Sequence, residues 1–128
     1  MDLAKFKKFN DTFGQERGDD VLRILAEHLS TCQEIRAVRD GGDEYLLLGA
    51  PTAHGLEDRL HELRKSWPGV FRKHFGPDTP VVSARILVTR VKAGHLLKAR
   101  EALGKGLVVF KDVVPGPTGV LRVLEAEL

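Results

Sequence analysis

The feature that most constrains the fold is the stretch of residues 37–48, where two adjacent glycines and two adjacent carboxylates interrupt strand-like sequence. Gly41 and Gly42 accept the positive φ values that a tight hairpin connection requires, so the residues on either side are predicted to be antiparallel partners. Asp43 and Glu44 then lie at or just past the tip. Carboxylates held there on rigid strands suit a magnesium ion, although a solvated turn also accommodates them.

Composition narrows the class of protein. With 128 residues, of which 42% are hydrophobic, the chain is expected to form one domain, residues 1–128. A formal charge of +2 gives no strong electrostatic footprint for nucleic acid, so no nucleic-acid partner is expected. The single cysteine, Cys32, excludes an internal disulfide. The sequence shows no secretion signal or membrane-spanning segment, so a cytoplasmic location is expected.

Two helices are predicted before the hairpin. Residues 5–11 suit a short amphipathic helix, because their two phenylalanines share one helical face. Gly14 and Gly18 are expected to break it, and Asp19 or Asp20 to cap a second helix. The buried stripe of that second helix consists of Val21, Leu22, Leu25, Ala26 and Leu29.

The second half of the chain also alternates helices and strands. Helical spacing runs from Leu56 to Trp67, and Pro68-Gly69 is expected to stop it, leaving residues 70–80 as a loop. The further elements predicted are a strand at 81–89, a helix at 93–103, a strand at 107–110, a turn at 115–119 and a strand at 120–124. This alternation predicts an α/β class of fold, with helices packed on a sheet.

Three segments, taken in order and at their spacing, resemble the GGDEF domain of diguanylate cyclases. The segments are Asp2 with Phe6-Lys7 and Asn10-Asp11, then Gly18-Asp19 with Val21-Leu22, then Gly41-Gly42-Asp43-Glu44-Tyr45. The resemblance is clear over residues 2–48 and loose over 49–112. An extra C-terminal strand is expected at 119–126.

The resemblance implies both a fold and an activity. The fold is the α/β (α+β) palm-like one of nucleotidyl cyclases, with a central, mostly antiparallel sheet flanked by helices. The activity is the condensation of two GTP molecules into cyclic di-GMP, a bacterial second messenger. The resemblance implies two magnesium ions per active site, because paired metal ions stabilise the attacking and leaving oxygens of phosphoryl transfer. It also implies a transient homodimer.

The resemblance also assigns roles to residues. Asp43 and Glu44 match catalytic positions, and Asp2, Asp43 and Glu44 match the metal ligands. Asn10 and Asp19 match guanine contacts, because an amide and a carboxylate pair with the Watson–Crick edge of guanine. The remaining GTP contacts implied are Lys7, the Gly41-Gly42 backbone, Arg100 and Lys105. Plainer roles stay open: Asp19 as a helix cap, Asn10 in a turn, and Lys7 on a solvated face.

The chain departs from the family pattern in its first strand. Only Met1 precedes Asp2, so this strand is expected to be missing or replaced. One hypothesis is that residues 120–124 fill the vacant position; another is that the sequence is a fragment or begins at the wrong methionine. The expected protein is thus an N-terminally truncated, divergent member of the family.

Two further departures concern function. Ser83-Ala84-Arg85 stands where the family has Ser-Ile-Gly. Cys32 and Ile35 occupy the positions of the Arg and Asp that form the inhibitory product site in the family, so no such site is expected. The leading hypothesis is a diguanylate cyclase. The alternative is an inactive remnant that binds GTP or a protein partner, and a relative of CRISPR-type palm polymerases is a third reading.

Overall fold

The computed structural model describes residues 1–49, 55–89, 94–103 and 121–124. The elements, in chain order, are β1 (Asp2–Leu3), α1 (Phe6–Phe13), α2 (Gln15–Ser30), β2 (Ile35–Gly41), β3 (Glu44–Gly49), α3 (Leu56–Phe75), β4 (Ala84–Thr89) and β5 (Leu121–Leu124). Residues 96–103 are also helical. The predicted strand at 107–110 and turn at 115–119 lie outside the described residues.

The strands form one sheet in the order β2-β3-β1-β4-β5. The first four are antiparallel to their neighbours, and β5 is parallel to β4. This mixed α+β architecture, a mostly antiparallel sheet with helices, confirms the predicted fold class. None of the described helices combines the length and the apolar character needed to cross a bilayer.

The placement of the last strand corrects one expectation. The hypothesis that residues 120–124 fill the position of the first strand is wrong, because β5 lies at the outer edge beyond β4. The central position belongs to the two residues of β1, and Met1 extends their pairing by exchanging backbone hydrogen bonds of 2.8 and 3.0 Å with Tyr45. Both edges of β1 are therefore occupied, whereas β4 offers its outer edge to a further strand.

The hairpin forms as predicted. Arg39 pairs with Tyr45 and Ala37 with Leu47 across β2 and β3, and the register shifts between Arg39 and Gly41. Gly41 has φ of 139° and Gly42 has φ of 53°, values that side-chain-bearing residues rarely adopt. The two glycines therefore determine where the chain reverses.

The core lies between one face of the sheet and helices α2 and α3. It contains Leu3 of β1, Tyr45 of β3 and Ile86 of β4, all under 7% exposed. Trp67 of α3 is fully enclosed, and its indole N–H donates to the carbonyl of Val82 at 2.6 Å. This bond satisfies the one polar atom of the largest buried side chain.

Both predicted interruptions of the helices need correction. The break between α1 and α2 occurs at Gly14 alone, which is the N-cap of α2, so Gly18, Asp19 and Asp20 lie inside that helix. Neither aspartate is the cap. Gly18 lies inside α2, and its missing side chain leaves room for the side chain of Asn10 on α1.

Helix α3 also runs past its predicted end. It continues through Pro68 and Gly69 to Phe75 and ends at Gly76, which has φ of 82°. The cost of an interior proline is offset by the burial of Phe71 and by its ring contact with Phe75, with centroids 4.6 Å apart. The loop predicted at 70–80 is therefore wrong for its first six residues.

Candidate nucleotide site

Five of the residues predicted to bind GTP or metal converge on one cleft of about 510 Å³. The cleft is bounded by α1, the start of α2 and the tip of the β2–β3 hairpin. The predicted residues that line it are Lys7, Asn10, Asp19, Gly42 and Asp43. Because these residues come from three separate segments, their convergence is a property of the fold rather than of local sequence.

The wall formed by α1 and α2 depends on a close approach between the two helices. A Cβ atom at Gly18 would lie 1.6 Å from Oδ1 of Asn10, so only glycine fits there with Asn10 in its present position. The same Oδ1 atom is buried and has no hydrogen-bond partner among the described residues. An unpaired buried amide oxygen is costly, and a ligand that donates a hydrogen bond relieves that cost.

Asp19 and Lys7 complete this wall. Asp19 follows Gly18 on α2, and Lys7 lies on α1; both residues are exposed and line the cleft. A carboxylate accepts hydrogen bonds, and an ammonium group donates them to anionic oxygens. The wall thus presents an acceptor region and a cationic region to the same space.

The opposite wall is the hairpin tip. Arg39 Nε donates to the carbonyl oxygen of Gly42 at 2.9 Å, which ties the turn to its own strand. The side chain of Tyr45 is buried in the core, and its hydroxyl donates to the carbonyl of Leu22 on α2 at 3.1 Å. Burial raises the pKa of Tyr45, and nearby Asp43 raises it further against the opposing effect of Arg39. The hairpin is thereby fastened to α2 beside the cleft.

The predicted metal ligand Asp2 is engaged inside the protein. Its side chain has no solvent exposure, and Arg85 donates a hydrogen bond to each carboxylate oxygen, with Nε–Oδ1 at 3.0 Å and Nη2–Oδ2 at 3.1 Å. Asp2 is the cross-strand partner of both Glu44 and Arg85, so the three side chains share one face of the sheet. A bidentate arginine is a strong partner for a carboxylate.

The residues therefore do not fit the expected two-magnesium site as they stand. Among the described residues, no group of three His, Cys, Asp or Glu side chains is placed to hold a metal ion. Asp43 lines the cleft, whereas Asp2 lies buried beneath it and Glu44 lines a separate cavity. A magnesium ion requires several oxygen ligands in one small space.

Arg100 does not line the cleft. Arg100 donates from Nε to Asp40 at 3.1 Å and lines the same separate cavity as Glu44. Lys105 lies outside the described residues. Cys32 is half-buried and Ile35 is buried, and the expectation that they form no inhibitory site stays a prediction.

Two contributors to the site are missed by sequence reasoning. Arg85 counted only as a departure from a family pattern, yet a charged residue in the apolar run 81–89 signals a buried ion pair. Arg39 also lines the cleft, and nothing in its local sequence distinguishes it from other strand arginines. Together with Lys7, Arg39 gives the cleft a cationic lining that suits phosphate groups.

Comparisons with known proteins support the resemblance. Residues 1–97 match the family described as diguanylate cyclase, GGDEF domain. The probable diguanylate cyclase DgcT of Escherichia coli K12 is 30% identical over 131 residues, covering 89% of this chain and 29% of that protein. The response regulator PleD of Caulobacter vibrioides is 42% identical over 64 residues, covering 47% of this chain and 13% of PleD.

One of the similar proteins is named for a different activity. The cyclic di-GMP phosphodiesterase PdeR of Escherichia coli K12 is 42% identical over 62 residues, covering 47% of this chain and 9% of that protein. The chain thus spans less than a third of the length of each of these relatives. No solved structure matches it significantly.

Proposed function

Because this chain belongs to the GGDEF domain family, we propose that it is a GTP-binding domain of cyclic di-GMP signalling. The observation that carries the proposal is the convergence of Lys7, Asn10, Asp19 and Gly42 on one cleft. The family match supplies the ligand class, and the cleft supplies the complementary groups.

Base selection follows from the α1–α2 wall. The Watson–Crick edge of guanine presents N–H donors, which the carboxylate of Asp19 can accept, and the side chain of Asn10, whose buried amide oxygen has no partner among the described residues, lines the same cleft. Adenine presents a ring-nitrogen acceptor where guanine presents a donor, and a carboxylate facing it remains unsatisfied. A polar group of the site that only the correct ligand satisfies therefore favours guanine over adenine.

Phosphate binding follows from the cationic side of the cleft. The Lys7 ammonium group and the Arg39 guanidinium line it, and the positive φ of Gly42 brings backbone to its edge without a side chain. Ionic hydrogen bonds to phosphate are roughly twice as strong as neutral ones. The triphosphate is therefore expected to extend from Asp19 toward Lys7 and the hairpin tip.

The test is a binding titration of the purified protein with fluorescent GTP and ATP. Asp19→Ala is expected to weaken GTP binding by about tenfold or more, the typical loss for a hydrogen bond to a charged group. Asp20→Ala is the matched control, because Asp20 follows on the same helix and pairs with Arg23 instead of lining the cleft. Equal binding of GTP and ATP, or equal losses in the two variants, contradicts the proposal.

The second candidate is the family reaction, in which a transient homodimer condenses two GTP into cyclic di-GMP with magnesium ions. The position of Asp43 on the cleft, next to Gly42, favours it. The Asp2–Arg85 pair opposes it, because a metal ligand is already occupied. We therefore rank GTP binding first.

A separate experiment distinguishes the two candidates. The protein is incubated at high concentration with GTP and magnesium, and the products are separated by chromatography. Cyclic di-GMP that disappears in Asp43→Ala establishes the cyclase. Saturable GTP binding without product establishes the binding domain.

A further inference from the structure

One ion pair differs from all the others in the described part of the chain. Asp2 is 0% exposed and Arg85 is 8% exposed, whereas the remaining ion-paired side chains are 30 to 67% exposed. The pair joins β1 to β4 in the centre of the sheet. Its burial means that water contributes little to stabilising either charge.

The geometry of the pair engages both carboxylate oxygens of Asp2 with Arg85. Each carboxylate oxygen accepts one N–H of the guanidinium, and Nη2 also approaches the carbonyl oxygen of Leu3 at 3.4 Å. The guanidinium keeps its charge at any pH that a folded protein tolerates. A metal ion binding Asp2 would have to displace this group and leave its charge without a partner in the sheet.

We infer that Arg85 is a built-in cation that keeps Asp2 from binding a divalent metal ion. The inference goes beyond nucleotide binding and does not depend on it. The guanidinium neutralises the buried carboxylate and fixes β1 against β4. Arg85 lines the cleft that Asp43 also lines, whereas Asp2 does not, so a divalent ion in the cleft meets the guanidinium rather than the Asp2 carboxylate.

The test is a manganese titration of three proteins without nucleotide. The first is the wild type. The second is Arg85→Gly, which removes the guanidinium, opens space beside Asp2 and leaves a buried carboxylate in need of a cation. The third is the neutral double variant Asp2→Asn/Arg85→Gln, which keeps hydrogen-bonding groups and has neither charge. The readouts are the midpoint of thermal unfolding and bound Mn²⁺ by electron spin resonance.

The wild type and the neutral double variant are expected to respond alike to Mn²⁺. Arg85→Gly is expected to gain one bound ion and a rise in Tm of roughly 5–10 °C at saturating metal, because binding to the folded state alone stabilises it. Absence of any gain in folded Arg85→Gly overturns the inference.

The inference remains testable if Arg85→Gly does not fold. Mn²⁺ binding by the wild type that is lost in the neutral double variant shows that Asp2 takes a metal despite Arg85, and overturns it. Identical Mn²⁺ binding by these two proteins supports it. A failure of GTP binding leaves this outcome unchanged, since no nucleotide is present in the titration.

Discussion

Two walls of the cleft differ in whether their polar groups already have partners inside the protein. On the α1–α2 wall, Asn10 Oδ1 is buried without a partner in the described structure, and Gly18 makes room for it. On the sheet wall, formed by Leu3 of β1 and Arg85 of β4, the guanidinium of Arg85 is paired with the buried Asp2 through two hydrogen bonds. The α1–α2 wall therefore retains polar groups that can bind a ligand, whereas the charged groups of the sheet, Asp2 and Arg85, bind each other.

The difference separates residues that a family pattern would treat as one site. Asn10, Asp19 and Asp2 all match family positions, but only the first two line the cleft. A site residue is available for chemistry only if the fold leaves its polar atoms without a stronger internal partner. Asp2 fails this condition, because Arg85 binds both of its carboxylate oxygens, whereas the predicted guanine contacts Asn10 and Asp19 line the cleft.

The largest expected effect comes from breaking the sheet wall. Asp2→Asn leaves the Arg85 guanidinium buried without a counter-ion, and we expect it to lower the free energy of unfolding by about 3–5 kcal/mol. Urea unfolding followed by Trp67 fluorescence measures the loss. Arg23→Gln, which removes exposed pairs with Asp20 and Glu27, is the control and is expected to change stability little. A similar stability of Asp2→Asn and wild type would show that the pair is not a buried clamp.

The next effect concerns the helical wall. Gly18→Ala places a methyl group on Asn10 Oδ1 and is expected to push that side chain into the cleft, weakening GTP binding by about tenfold. Stability should change less, because alanine favours a helix over glycine by roughly 0.5–1 kcal/mol. Calorimetric titration with GTP measures the affinity. Gly69→Ala in α3, where a Cβ meets no atom within 4 Å, is the control and should leave affinity unchanged.

A smaller effect tests the link between the walls. Tyr45→Phe removes the hydroxyl that donates to Leu22 and is expected to cost about 1 kcal/mol of stability at neutral pH. Because burial raises the pKa of Tyr45 above its ordinary value of 10.0, the folded state holds this proton more tightly. The resulting stabilisation is present below the unfolded pKa and is lost as pH rises through the folded pKa.

This pH dependence has a direct measurement. Tyr45 is the only tyrosine, so tyrosinate absorbance in an alkaline titration reports this hydroxyl alone. Tyr45→Phe should lose less stability than the wild type as pH rises through that range. Titration of Tyr45 at or below the pKa of free tyrosine would contradict the burial of its hydroxyl.

The smallest effect is expected at Arg100. This residue was predicted to contact phosphate, but it pairs with Asp40 and lines a different cavity. Arg100→Ala should therefore leave the GTP dissociation constant within about twofold, whereas Lys7→Ala should raise it about tenfold. The same fluorescent titration measures both. Equal losses in the two variants would place Arg100 in the site.

Features that depend on neighbouring residues are predictable from the sequence. Gly41-Gly42 specified the hairpin, because only glycine adopts the required φ values without strain. The apolar stripe predicted for α2 identified four of its buried residues, Val21, Leu22, Leu25 and Leu29, whereas Ala26 is exposed and Ile24 is buried in addition. The resemblance to the GGDEF domain implied guanine contacts at Asn10 and Asp19. These are short-range patterns, and the structure brings both predicted guanine contacts to one cleft.

Features that depend on partners distant in the sequence become evident only in the folded chain. Arg85 is 83 residues from Asp2 in sequence, and their pairing follows from the antiparallel neighbours β1 and β4. Helix α3 passes Pro68 because its aromatic residues are buried against the core, and β5 joins the sheet edge that remained open. Local sequence propensity does not include the energies of these long-range contacts. In this protein, such contacts decide which of the predicted site residues line the cleft.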